Sequence, residues 1–213
     1  WISFADLMTA LMTLFLVVMA TTLISVQKSI PTVIAENEQY QKDIRIVMGL
    51  LKAESEPFEK VKVDAKNFTI ELNERVNFES NSFEISPKQG SFLRNYIPTL
   101  LKVKNTEQGR LIKEFIVEGF TDQDGSYTLN LALSTARSRS VICALATKAA
   151  PILTDEQLLD VQRFFSLSGF SSHSILADKP QSRRVRLRVD FWSPDDLKKP
   201  HPPLLLNSQF GTC

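Results

Sequence analysis

Thiols and imidazoles are scarce in this chain: its 213 residues include two cysteines, Cys143 and Cys213, and two histidines, His173 and His201. Zinc sites draw Cys and His ligands at short fixed spacings; those spacings are missing, so no metal is expected. Two cysteines cannot define a disulfide framework. They read as two unrelated thiols or, if the domain is exported to an oxidising space, as one bridge tying the end of the chain to the domain. A nucleophile-elbow glycine pattern and a phosphate-binding glycine loop are also absent. Ser171, Ser172, His173 and Ser174 cluster, but one histidine among serines reads as a loop, and the chain is not expected to be an enzyme. Neither charge dominates, with 25 Lys and Arg against 24 Asp and Glu. Phosphate backbones require a clustered basic excess, so nucleic acid is not expected as a partner. No methionine opens the chain, and an N-terminal segment ahead of Trp1 is expected, its charges setting membrane topology.

What the chain does have is a long apolar run, Leu7 to Val26, without a charge and with Asp6 at its head. About twenty such residues cross a hydrocarbon core of roughly 30 Å. Counted from Trp1 the helix would measure about 39 Å, which places Asp6 inside the bilayer. A carboxylate there costs about 2.5 to 3.5 kcal/mol on insertion scales and usually faces a partner or an ion path. The alternative is an interfacial acid favoured by the dipole at the helix start. At helical spacing from Asp6 come Thr9, Ala10 and Thr13, then Val17, Ala20 and Thr21, a stripe of small or β-branched side chains. Such stripes let helices approach closely in lipid. One span cannot enclose an ion path, so other membrane subunits are expected. A signal peptide is the rival for residues 1–26, but the run is too long for its apolar core and Ala20 to Thr22 is a poor cleavage site.

Residues 27–57 read as a connector with a second, amphipathic helix, interrupted early by Pro31; Ile34, Tyr40, Ile44, Val47, Met48 and Leu51 lie loosely on one side. It is a solvated linker, a dimer contact or a gate at the membrane exit. A domain is expected over 58–192. Phe68 to Phe78 reads as a strand broken near Asn73, and Ser86-Pro87 opens a helix that Pro98 disturbs near its end. Phe115 to Val117 make a short buried strand, helices follow from about Leu129 to Lys148 and from Thr154 to Phe165, and Gln157 completes a cap with Thr154. Val185, Leu187, Val189 and Phe191 alternate with Arg184, Arg186, Arg188 and Asp190 in the clearest strand. The arginine row is either a ligand surface or a solvated outer face. Residues 193–213 form a proline-bearing tail of extended character. Strands alternating with helices predict an α/β (α+β) sandwich with helices packed on a small mixed sheet.

Gly119-Phe120-Thr121-Asp122, Gly125, Asn130, Leu133-Ser134 and Arg137 closely resemble the peptidoglycan-binding motif of OmpA-like domains, and Ser182-Arg183-Arg184-Val185 resembles their final-strand signature. The resemblance covers about residues 65–192 and departs at Phe120, where the family often has histidine. It implies binding of the diaminopimelate of a peptidoglycan stem peptide. Asp122 would face its ammonium and Arg137 its carboxylate, Asn130 and Leu133 would shape the pocket, and Tyr127 and Arg183 would join the same surface. The chemistry is sound in itself: a zwitterionic end needs an anion and a planar cation held apart, and arginine grips a carboxylate through two parallel hydrogen bonds.

The stretch from Trp1 to Met12 resembles the span of B subunits in flagellar-type stators, the MotB family, whose corresponding aspartate carries the ion. That resemblance implies two copies of this chain inside a ring of five MotA- or ZorA-like membrane A subunits, with Asp6 carrying a proton, or else sodium, and no other cofactor. It implies a single-pass bacterial inner-membrane protein, N-terminus cytoplasmic and domain periplasmic. The Asp-Leu-Met-Thr wording, Leu14 to Met19, the second loop acid Asp124 and the Leu-rich tail ending at Cys213 are similar to the B subunits of Zorya anti-phage motors. A flagellar stator subunit and a passive membrane-to-wall tether are the alternatives.

Overall fold

The first 48 residues contain no glycine and one proline, and from Ile2 they lie in a single helix that runs on into the domain. In the computed structural model, which describes residues 2–200 and 210 with the side chains at 2, 3, 28 and 29 excepted, this helix is α1 (Ile2–Ser55). It continues through Pro31 instead of stopping there. A proline inside a helix forfeits one backbone bond and crowds the carbonyl four residues back, at about 3 kcal/mol. The sequence next to it is rich in Ser and β-branched residues, middling helix formers, so the offset comes from the length of helix on both sides. Two compact units result, residues 1–42 and 43–213. In the first, α1 is long and apolar enough to cross a membrane, with a mean hydropathy of 2.3 in its most apolar part. Its described side chains from Phe4 to Gln27 are all exposed.

The second unit begins within α1. Ile44, Val47, Met48 and Leu51 recur at helical spacing and are buried, and Ser55 Oγ lies 2.8 Å from Tyr96 Oη. The expected connector over 27–57 is therefore divided: its last turns are part of the domain's core. Tyr96 sits on α2 (Pro87–Lys104), capped by a reciprocal box in which the Ser86 hydroxyl accepts from the Gln89 N–H and the Gln89 side chain from the Ser86 N–H. Pro98 lies inside α2 without ending it.

Five strands make one mixed sheet: β1 (Lys62–Asp64), β2 (Thr69–Glu71), β3 (Ile112–Gly119), β4 (Phe165–Gly169) and β5 (Val185–Phe191), in spatial order β1-β2-β5-β3-β4. β3 pairs parallel with β4; the other pairs are antiparallel. The strand expected from Phe68 to Phe78 is shorter. Asn73 takes a positive φ of 47° and opens one turn of 3₁₀ helix, after which Asn77 rejoins the sheet through a bridge to Arg184. The remaining helices are α3 (Tyr127–Ala146), α4 (Asp155–Phe164), α5 (Lys179–Ser182) and α6 (Pro194–Leu197).

Gly119 fixes which face α3 covers. A Cβ there would collide with the Ser134 carbonyl of α3, so β3 meets the helix backbone directly. By strand alternation Phe115 and Val117 share that face, and register adds Leu187, Val189 and Ile70, all buried. The opposite face carries the arginine row, and it is ion-paired. Glu118, 1% exposed, accepts from Arg186 Nε at 2.6 Å and Arg188 Nε at 2.7 Å, while Arg184 and Arg186 both reach Glu71. The tail forms α6 and continues beyond the described residues, apart from Phe210. Cys143, on α3, is disulfide-bonded; Cys213, the other half of the expected pair, lies outside the described residues.

Candidate functional site

The sequence-predicted motif converges at the β3 end of the sheet. Gly119 ends β3, Phe120 to Ser126 form the loop, and the Ser126 hydroxyl caps α3 by accepting from the Leu129 N–H. Gly125, at φ 95°, supplies the left-handed turn that brings the chain back to the helix. Phe120 N–H donates to the Arg184 carbonyl and Thr121 N–H to that of Ser171, each at 3.0 Å, which welds the loop to the segment before β5.

Within this frame Asp122 is buried, and each of its oxygens accepts one hydrogen bond. One carboxylate oxygen accepts from the Asp124 N–H at 3.1 Å, and the other from Arg183 Nη1 at 3.1 Å. Arg183 Nε donates to the Phe78 carbonyl, so the guanidinium is held at two edges while its side chain stays 14% exposed. Arg137 is different: it is fully buried, and its Nε, Nη1 and Nη2 donate to the carbonyls of Ser82, Phe120 and Glu79 at 2.9, 2.8 and 3.1 Å. Its guanidinium also lies over the Phe78 ring, 5.0 Å from the centroid. Burial lowers its pKa to about 10, with Asp122 opposing and Arg183 reinforcing the shift, so it remains a cation at neutral pH. The expectation of Arg137 as the direct partner of a ligand carboxylate thus meets a cation under the loop, and the guanidinium nearer the surface beside Asp122 is Arg183.

Asn130 is buried one turn into α3, Leu133 is half-buried and Tyr127 is exposed at the helix start, edge-on to His173 at 5.9 Å. His173 Nδ1 lies 2.7 Å from the Phe170 carbonyl, a loop contact. Two features were missed in the sequence. Lys179 pairs with Asp124 at 2.8 Å, an interaction that raises the lysine's pKa, and no local pattern joins residues so far apart. The Thr121 hydroxyl is buried without a hydrogen-bond partner beside Asp122; its place in the motif was the available signal. A cleft of about 460 Å³ lined by Lys60, Asn77, Asp178 and Arg184 lies close by and includes neither Asp122 nor Arg137. Among the described residues no group of three or more His, Cys, Asp or Glu side chains could hold a metal ion.

The second constellation belongs to the first unit. Asp6, Thr9, Ala10 and Thr13 fall on one helical face. Thr9 Oγ1 donates to the Ala5 carbonyl at 2.6 Å and Thr13 Oγ1 to that of Ala10 at 2.9 Å. The hydroxyl protons are satisfied within the helix, as an apolar surrounding demands, and the oxygens keep lone pairs to offer a protonated acid or a cation.

No family model matches the chain. Among curated proteins it is 36% identical over 201 residues to the Zorya protein ZorB of Escherichia coli O139:H28, covering 92% of this chain and 82% of that protein. A second Zorya protein ZorB, from Escherichia coli ATCC 8739, is 30% identical over 213 residues, covering 89% and 86%. Among solved structures, the cell wall anchor of the T6SS from Pseudomonas aeruginosa is similar over 67% of this chain and 95% of its own, at 21% identity and a TM-score of 0.46. The periplasmic domain of Helicobacter pylori MotB is similar over 60% and 78%, at 14% identity and a TM-score of 0.45.

Proposed function

The chain belongs to the family of the Zorya protein ZorB, and from that premise we propose that it is the B subunit of an ion-driven anti-phage motor, with Asp6 as ion carrier and the second unit as wall anchor. The observation that carries this reading is the placement of Asp6: it is the one charged side chain between Phe4 and Gln27 of α1, on the face that also bears Thr9, Ala10 and Thr13. A carboxyl in that position serves a rotary device by passing between two surroundings. An apolar partner surface favours the neutral acid; a water-filled entry favours the anion. Alternating the two as a ring of A subunits turns couples ion movement to rotation. Two copies of this chain inside five A subunits, an N-terminus in the cytoplasm and a domain in the periplasm belong to the same proposal.

Torque on the ring has to be resisted, and the second unit supplies the resistance by holding peptidoglycan. An amino acid zwitterion from the stem peptide would set its ammonium against Asp122 and its carboxylate against Arg183, with Arg137 adding positive charge from beneath and Asn130, Leu133 and Tyr127 forming the surround. The subunit's work is carrying and anchoring; no catalytic step is assigned to it. Ion flux through vesicles holding this chain with its A subunit tests the carrier. Asp6→Asn is expected to reduce flux to background while the complex still assembles. Undiminished flux in the assembled variant would leave Asp6 structural and the chain a passive tether.

A further inference from the structure

The cleft of about 460 Å³ beside the candidate wall site shares its backbone with that site. Three pairs of consecutive residues are divided between the two. Asn77 lines the cleft while the Phe78 carbonyl holds Arg183; Asp178 lines it while Lys179 pairs with Asp124; Arg184 lines it while Arg183 pairs with Asp122. Asn77 and Arg184 are themselves joined by an antiparallel bridge. Consecutive Cα atoms are about 3.8 Å apart, so one layer of backbone is all that separates cleft from site.

Two cations of the cleft are already neutralised. Lys60 pairs with Glu74, and the buried Arg184 is held by Glu71 at 3.5 Å and by the Ser174 carbonyl at 3.2 Å. Asn77 Oδ1 accepts from the Gln89 side chain at 3.1 Å, which leaves its Nδ2 to donate. Three exposed lining groups have no hydrogen-bond or ion-pair partner among the described residues: the Lys62 ammonium on β1, the Asp178 carboxylate just before α5, and the Gln181 carboxamide on α5. A free cation, a free anion and carboxamides suit a peptide, whose N–H and C=O groups need acceptors and donors in turn. No aromatic ring is among the described residues that line the cleft, so a sugar face has nothing flat to rest on. The volume falls within the roughly 300 to 1,000 Å³ of small-ligand sites.

We propose that this cleft is a second peptidoglycan subsite: it takes the stem-peptide residues next to the diamino acid at Asp122 and Arg183, with Lys62 on a free carboxylate of that stretch and Asn77 and Gln181 on its amides. Asp178 accepts from peptide N–H groups. At roughly 3.3 to 3.6 Å per extended residue, a few residues carry the peptide across one backbone layer. The consequence is selectivity, because a stem whose neighbouring carboxylate is amidated loses the contact with Lys62. The subsite rests on the reading of the second unit as a wall anchor.

Titration calorimetry on full-length protein in detergent tests it with three probes: free diaminopimelate, a synthetic stem tetrapeptide containing it, and the same peptide with its glutamate carboxylate amidated. The native chain is expected to bind the acidic tetrapeptide at least tenfold tighter than free diaminopimelate. Lys62→Gln and Gln181→Ala are each expected to weaken the tetrapeptide at least fivefold without changing the affinity for free diaminopimelate. Amidation is expected to weaken binding to the native chain at least fivefold and to have no effect on Lys62→Gln. Tetrapeptide affinity equal to that of free diaminopimelate, or undiminished in both variants, would overturn the subsite and leave the wall anchor standing. Binding of neither ligand by the native chain would overturn the wall anchor and the subsite with it.

Discussion

At the scale of single residues, the candidate wall site divides its arginines by burial. Arg137 and Arg183 are both legible in the motif, yet the sequence cannot say which one reaches solvent, because that depends on carbonyls of Glu79 and Ser82 carried by a distant loop. Asp122→Ala and Arg183→Ala are each expected to lower pelleting with purified peptidoglycan at least tenfold while circular dichroism stays native. Arg137→Lys keeps the charge but replaces the planar fork, whose three nitrogens each reach a different carbonyl, with one compact ammonium. It is expected to lower the melting temperature as well, since each buried acceptor left unpaired costs about 1 to 3 kcal/mol. Tyr96 gives a pH signature. Burial raises its phenol to about 12 against an ordinary value of 10.0, an effect the Ser55 hydrogen bond partly opposes. The folded state therefore binds the proton more tightly than the unfolded chain does. Its contribution is complete below about pH 10 and is lost as pH climbs from about 10 to about 12, worth roughly 3 kcal/mol across that interval. Urea titrations at pH 9 and pH 11 are expected to show a smaller loss in Tyr96→Phe than in the native chain.

At the scale of elements, legibility followed how local the determining forces are. The Ser86–Gln89 and Thr154–Gln157 capping boxes lie within four residues, and both mark real helix starts. The alternation of β5 is visible because one of its faces is uniformly apolar. β1 has three residues, too few for a period to register, and β4 is a Phe-Ser-Leu-Ser-Gly segment made into a strand by parallel pairing with β3. Gly169 at its end admits the Thr135 side chain of α3 as closely as Gly119 admits the Ser134 carbonyl, a tertiary requirement with no local signature. The passage of α1 through Pro31 and the membership of its last turns in the core were hidden for the same reason: the stripe from Ile44 to Leu51 is plain, but what it packs on is not. Leu51 is fully buried, so Leu51→Ala is expected to cost about 2 to 5 kcal/mol in urea unfolding followed by near-ultraviolet circular dichroism. A loss under 1 kcal/mol would return those turns to the role of a linker.

At the scale of the whole molecule, two units divide two physical tasks. The first holds one carboxyl on an exposed apolar helix, where the proposed ion path would need partner helices; the second holds the Asp122–Arg183 pair, the proposed recognition groups, on a sheet-and-helix frame. The chain belongs to the family of the Zorya protein ZorB, and the proposed ion carrier is what would distinguish a motor part from a tether. The most direct measurement is phage plaquing on cells that carry the complete neighbouring gene set, with native chain or Asp6→Asn at matched membrane levels. Loss of protection in Asp6→Asn, to the level of cells without the set, is the expected result. Protection retained by Asp6→Asn would contradict the assignment of Asp6 as the carrier that drives the machine.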